Sequence, residues 1–377
     1  MGVSNTFHKF LKALPKCEHH LHIEGTLTPS LLFELSRQNN VTLPSTPAYE
    51  SISALQSRYQ AFTSLQDFLD HYYVGMSVLL TRSDFALLTY TYLKSTHADG
   101  VRHVEMFFDP QAHLERGIPY AVILEGIEQG IAQAKSQFPD LTVLLIACFL
   151  RHLGSDEALK TLALLAPDLK SGRITGVGLD SSEAGFPAPL FKEVYAQAAA
   201  LTLHLTAHAG EETPHTAITD TLEALHVTRI DHGLTSATSP ALLTSLAASK
   251  TMLTLCPLSN VCLCCIPSVK EFPIRAFLDA GVRFSINGDD PAYFRGGVLD
   301  NYLEVQRVWG LNVREWEKIV KGSVEGSWCS KERKVKLRGE LEKVVETYEP
   351  LIRDEVGGRS MEEVEAEARE ETVAVEV

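Results

Sequence analysis

His20-Leu21-His22 places two imidazoles two residues apart, a spacing that turns both side chains to one face of an extended strand. The pair is a metal-ligand arrangement, but His-x-His recurs too often by chance to carry a metal alone. Three further runs change its meaning: His208-Ala209-Gly210-Glu211, Asp231-His232-Gly233 and Asp289-Asp290. Together His20, His22, His208 and Asp289 offer three neutral nitrogens and a carboxylate, a set suited to one zinc ion with water in an open position. Four protein ligands exceed the three usual at catalytic zinc, so Asp289 is expected to be the weakest, in a five-coordinate site with water. Water on zinc has a pKa of about 7, which makes hydroxide available near neutrality and points to hydrolysis.

Hydrolysis also needs a proton for the leaving group and a residue to steer or deprotonate the water. Glu211 and His232 fall at neighbouring strand ends for those tasks. A carboxyl beside apolar walls is lifted into the range of a general acid. Alone, each residue has a plainer reading: Glu211 as a carboxylate at a helix N-terminus, His232 as a supporting histidine. Asp290 is assigned a hydrogen bond from substrate, although neighbours on a strand face opposite ways unless the strand bends at its end. Ser182 and Glu183 lie in Asp180-Ser181-Ser182-Glu183, whose hydroxyls and backbone N–H groups can hold a ring edge; turn formation is the competing reading.

These residues need a frame, and eight β-type runs supply one: 16–25, 101–111, 141–151, 174–183, 201–211, 229–233, 251–260 and 282–290. Most are separated by stretches long enough for a helix, which predicts a (β/α)8 TIM barrel. The His, Asp, Glu, Cys and Asn residues gather at the C-terminal ends of the runs, where barrel enzymes build active sites. The gap after the first run holds amphipathic patterns such as LLFELSRQ, so a helical insertion is expected over the barrel mouth. Residues 1–353 are expected to form a single barrel domain with C-terminal helices, and 354–377 an acidic, flexible tail.

Composition narrows the function. With 45% hydrophobic and 22% charged residues, the chain's 377 positions suit a folded domain with ample core. The net charge is -14, and residues 354–377 hold nine acids against Arg359 and Arg369. Half of the negative charge thus sits in the tail, and the body carries no basic stripe. A nucleic-acid polymer is therefore not expected as partner, whereas a small molecule is. The seven cysteines are odd in number and dispersed, which suits a reducing cytosol. A cytoplasmic location is expected, with the nucleus left open. MGVSNT matches the loose Gly2 myristoylation pattern but lacks the second signal that anchoring needs, so no membrane partner is expected.

PKCEHHLHIEG, TAHAGEE, RIDHG, CPLSN and SINGDDP recur on the first, fifth, sixth, seventh and eighth runs. In that order they resemble the adenosine and adenine deaminase family, zinc-dependent amidohydrolases on a (β/α)8 barrel, from about residue 13 to about 335. The resemblance implies His20, His22, His208 and Asp289 on zinc with its water or hydroxide, Glu211 as proton donor to a purine ring, His232 on the attacking water and Asp290 on substrate. FFDPQAH and DDPAYF look like the adenine deaminase branch of fungi and bacteria. Glu24 points the same way, since the nucleoside branch usually carries Asp there to meet ribose and the extra methylene would fill that space. The implied reaction, a purine-salvage step, takes adenine and water to hypoxanthine and ammonia; an adenosine or N6-methyl-AMP deaminase with the same machinery is the alternative. A two-metal amidohydrolase is disfavoured because the fourth run ends in DSSE, without a bridging lysine. His22-Ile23-Glu24 also matches half of the cytidine-type zinc deaminase signature, but the P-C-x-x-C half is missing. Cys256, Cys262, Cys264 and Cys265 show no paired C-x-x-C and are expected as small buried hydrophobes. His204 lies four residues below His208 and is not expected to be a ligand. His19, where an aliphatic residue is usual, should face the helix layer; Thr213 and Gly288 also depart from the branch.

Overall fold

The computed structural model describes residues 3–201 and 204–355. Eight strands follow one another along the chain: β1 (Lys16–Glu18), β2 (Val101–Phe108), β3 (Thr142–Leu150), β4 (Gly176–Asp180), β5 (Thr206–Ala209), β6 (Arg229–His232), β7 (Met252–Leu255) and β8 (Arg283–Ile286). All pair in parallel, in the orders β1-β2-β3-β4 and β5-β6-β7-β8. Two seams join these halves. Val177 bridges Leu205, and Leu21 bridges Asp289. The result is the (β/α)8 barrel that the spacing of the runs implied. Strands such as TVLLIACFL are apolar throughout because both faces of a parallel barrel strand are covered.

The first run is shorter as a strand than its sequence suggests. Regular β1 ends at Glu18, and its register shifts between Lys16 and Cys17. The Asn287 side chain accepts the His19 N–H at 2.8 Å in place of a backbone carbonyl. Beyond that interruption the chain stays extended between β2 and β8: Asp289 N–H donates to His20, Phe107 N–H to Leu21 and His22 N–H back to Asp289. The two imidazoles are therefore positioned by bridges to both neighbours rather than by a continuous ladder.

The insertion after β1 contributes helices Pro29–Gln38, Ile52–Tyr59, Leu65–Met76 and Arg82–Ala98. Side-chain oxygens of Thr28, Ser51, Ser64 and Thr81 cap the four N-termini, and Asp84 completes a capping box with Thr81. Phe62, Phe68, Tyr72 and Tyr293 pack into an aromatic layer above the barrel, with Tyr59 stacked on Tyr293 at 4.5 Å. At the opposite end, Arg229 lies over the Trp328 ring and donates to buried Glu105 at 2.6 Å, while His204 stacks on the same indole. His204 thus belongs to the barrel floor. The last helix runs from Lys331 to Glu355, so it includes the first two residues of the expected tail; positions 356–377 lie outside the described residues.

Candidate active site

The strand ends bend where the chemistry is. His232 has φ 63° and Asp289 φ 62°, left-handed values that L-residues adopt only when surrounding structure holds them there. At Asp289 this bend follows the end of β8, and it brings both Asp289 and Asp290 to the same cavity despite their adjacency. Gly25 makes room for the turn. A Cβ at residue 25 would stand 1.8 Å from Asp290 Oδ1 and 2.7 Å from its Cβ.

His20, His22, His208 and Asp289 converge. His22 Nε2 and His208 Nε2 face each other at 3.2 Å, His20 Nε2 lies 3.1 Å from Asp289 Oδ1, and His22 Nε2 lies 3.6 Å from the same oxygen. The other ring nitrogens point outward to oxygens. His22 Nδ1 is 3.6 Å from Asp180 Oδ2, His208 Nδ1 is 3.5 Å from Asp231 Oδ2, and His20 Nδ1 is 2.9 Å from the Thr254 hydroxyl. Thr254 donates its own proton to Asp231 at 2.9 Å, so it accepts from His20. With protons held on Nδ1, three Nε2 lone pairs are aimed at one another inside the protein, an arrangement that a cation relieves. His20 Nε2 has no hydrogen-bond partner among the described residues. These donors fit a divalent metal.

Beside them, His232 Nε2 sits 3.4 Å from Glu211 Oε2 and 3.9 Å from Asp289 Oδ2. Asn260 Nδ2 donates to Glu211 Oε1 at 3.0 Å. Burial, then the charges of Asp289, Glu183 and Glu212, push the Glu211 carboxyl well above the usual carboxylate range. A carboxyl favoured in its protonated form is thereby placed next to the imidazole cluster. Asp231, although buried, is held below that range by His208 and His20 and by the Thr206 hydroxyl, and stays an anion under the histidines.

Three expected substrate contacts lie elsewhere. Both Glu183 oxygens are taken at 2.9 Å by the N–H groups of Gly210 and Glu211, and the Thr213 hydroxyl also donates to it. Glu183 therefore shapes the turn that presents Glu211. Ser182 donates to Glu212, which also accepts the N–H groups of Glu183 and Ala184, so these three donors are engaged within the loop, while Ser181 lines the cavity. Glu24 is 1% exposed and lies behind the cavity wall, where its Oε1 accepts the Asp109 N–H and the His113 ring. Residues that line the cavity without having been assigned a site role from the sequence include Asp109, Asp180, Tyr72 and Leu150. Asp109 directly follows β2 and Asp180 closes β4, and strand-end position was the one available signal for both. His19 faces the helix layer as expected and meets the Ser327 hydroxyl at 2.7 Å. Of the cysteines expected inside, Cys256 and Cys262 are buried, while Cys264 is exposed.

The adenosine deaminase family model matches residues 15–344. An adenine deaminase from Gibberella zeae is 51% identical over 91% of this chain and 98% of its own length. Among solved structures, an adenine deaminase from Arthrobacter aurescens is 41% identical, with a TM-score of 0.84 over 88% of this chain and 99% of that one. An amidohydrolase from Burkholderia ambifaria, solved with bound Zn, is 25% identical, with a TM-score of 0.82 over 92% and 96%. In the described residues, no helix is long and apolar enough to cross a membrane.

Proposed function

The chain belongs to the adenosine deaminase family, and from that membership and its site we infer that it hydrolyses adenine to hypoxanthine and ammonia. The observation that carries the chemistry is the buried Glu211 carboxyl held 3.4 Å from His232 beside three converging imidazoles and Asp289. The substrate class follows from the adenine deaminases that share about half of the sequence over nearly its whole length.

One zinc ion on His20, His22, His208 and Asp289 is the metal this donor set favours, and when bound it supplies a water acidic enough to act as nucleophile near neutrality. The residues around it do the rest. His232 holds that water and takes its proton as the oxygen adds to C6. Electron density moves to N1 of the purine, where Glu211 delivers the proton that burial keeps on it. Asn260 holds Oε1 of Glu211, which leaves Oε2 on the His232 side to carry the proton. When the C6–N bond breaks, the amine departs as ammonia with the proton removed from water, the C6 hydroxyl returns its proton to the Glu211 carboxylate, and hypoxanthine remains. Asp290 bonds the five-membered side of the base. Asp231 and Thr254 keep the histidines in the tautomer that leaves Nε2 free.

Ammonia release from adenine, adenosine, AMP and N6-methyl-AMP at matched concentrations, with zinc-loaded protein, tests this reading. Turnover of adenine alone is the expected result. A preference for a nucleoside or nucleotide would overturn the substrate assignment.

A further inference from the structure

We propose that Asp109 is the residue that recognises the free base, accepting the N9–H that a nucleoside or nucleotide lacks. This deepens the adenine reading and rests on it. Asp109 follows β2 and opens helix Pro110–Leu114, yet its side chain makes no capping bond to that helix. It is 1% exposed, lines the active cavity and has no hydrogen-bond partner for Oδ1 among the described residues. The Tyr72 hydroxyl donates to its other oxygen at 3.4 Å, and the Asp180 carboxyl lies beside the group within hydrogen-bonding reach.

The backbone beneath it is fixed with unusual care. Arg116 donates to His113 Nδ1 at 2.7 Å, which leaves the His113 proton on Nε2 to be donated to Glu24 Oε1 at 2.9 Å. The same Glu24 oxygen accepts the Asp109 N–H at 3.1 Å. A relay of three side chains thus ends on the amide of Asp109, and Glu24 acts as a positioning residue through it. The placement suits the far edge of a purine. His22 has Nε2 in the imidazole cluster and Nδ1 toward Asp180, and Asp109 lies in reach of both residues. With C6 at the water and N1 at Glu211, N9–H points away from His232 and toward the Asp109 side.

A buried carboxylate oxygen without a donor is costly, and an incoming N–H satisfies it. A substituted N9 brings carbon instead and leaves that oxygen unpaired. Sites built to bind a substrate hydrogen reject analogues lacking it by roughly 10⁴.

The test compares kcat/KM for adenine and 9-methyladenine in zinc-loaded wild type and Asp109→Asn, with metal content and melting temperature of each. Where 9-methyladenine turns over too slowly, its constant as a competitive inhibitor replaces the rate. The expected result is a fall of about 100-fold for adenine, mostly in KM, and less than threefold for 9-methyladenine, with metal and melting unchanged. Equal losses on both compounds, from a wild type active on adenine, would overturn the Asp109 assignment alone. Loss of a metal ion per chain in Asp109→Asn would also overturn it, in favour of a cation held with His22 and Asp180. A wild type inert on adenine would overturn the functional reading and this one with it.

Discussion

Glu211 divides its two oxygens between Asn260 and His232, and its burial among Asp289, Glu183 and Glu212 pushes its carboxyl toward the protonated form. Glu211→Gln keeps the shape and removes the transferable proton. It is expected to retain metal while kcat falls about 10³-fold. His20→Ala removes a cluster nitrogen and should lose both metal and turnover; metal analysis alongside steady-state rates separates the two. A fully active Glu211→Gln would refute the assigned role. His113 yields a pH prediction. Burial and Arg116 lower its folded pKa to about 3 from the ordinary 6.5. Between those values the unfolded chain binds more protons than the native one, so stability is full above pH 6.5 and is lost as pH falls. The loss from this residue between pH 6.5 and 5 is about 1.5–2 kcal/mol. His113→Gln should therefore show a flatter acid limb in melting temperature against pH than wild type, and parallel limbs would refute the shift. At this scale the convergence of His20, His22, His208 and Asp289 with Glu211, His232 and Asp290 was legible because residue type and strand-end position coincide. The differing placement of Glu24, Ser182 and Glu183 was not, because a carboxylate that shapes a turn and one that faces a ligand have the same letters.

The turn after β1 and the bend after β8 form one unit. Gly25 accepts Ala292 N–H at 3.0 Å and leaves the space that Asp290 fills. Gly25→Ala must push Asp290 aside while leaving the imidazoles in place. Its expected effect is a 100-fold or greater fall in kcat/KM for adenine with metal content preserved, read by titration and metal analysis; near-normal activity would show that Asp290 has room to move. The insertion was recognisable as helical from its amphipathic patterns. Its helix Leu65–Met76 sends Phe68, Leu69 and Tyr72 into the cavity, a detail that periodicity does not carry, since it marks a buried face without saying what that face is buried against.

Across the molecule, the groups gathered at the site come from residues 20–290, contributed by nearly every strand end. The last helix packs instead against the N-terminal helix Asn5–Ala13, where Ser4 donates to Glu355 at 2.7 Å. Ending the chain after Glu355 should accordingly leave kcat/KM for adenine within about twofold of the full chain, although it removes much of the negative charge. A large drop on direct comparison of the two proteins would show that the acidic end serves the site.

Eight alternating units, the metal-binding letters and their collection at strand ends were determined by the sequence itself, because strand parity and barrel topology convert linear spacing into a shared face. Tertiary structure alone decided which carboxylates face the cavity. Asp289 and Asp290 share it because the chain bends at a left-handed residue, Glu183 leaves it because two backbone amides claim its oxygens, and Asp109 enters it because Glu24, His113 and Arg116 hold its amide from behind. Each of these outcomes depends on partners far away in the chain, whose hydrogen bonds exist only once the barrel has closed.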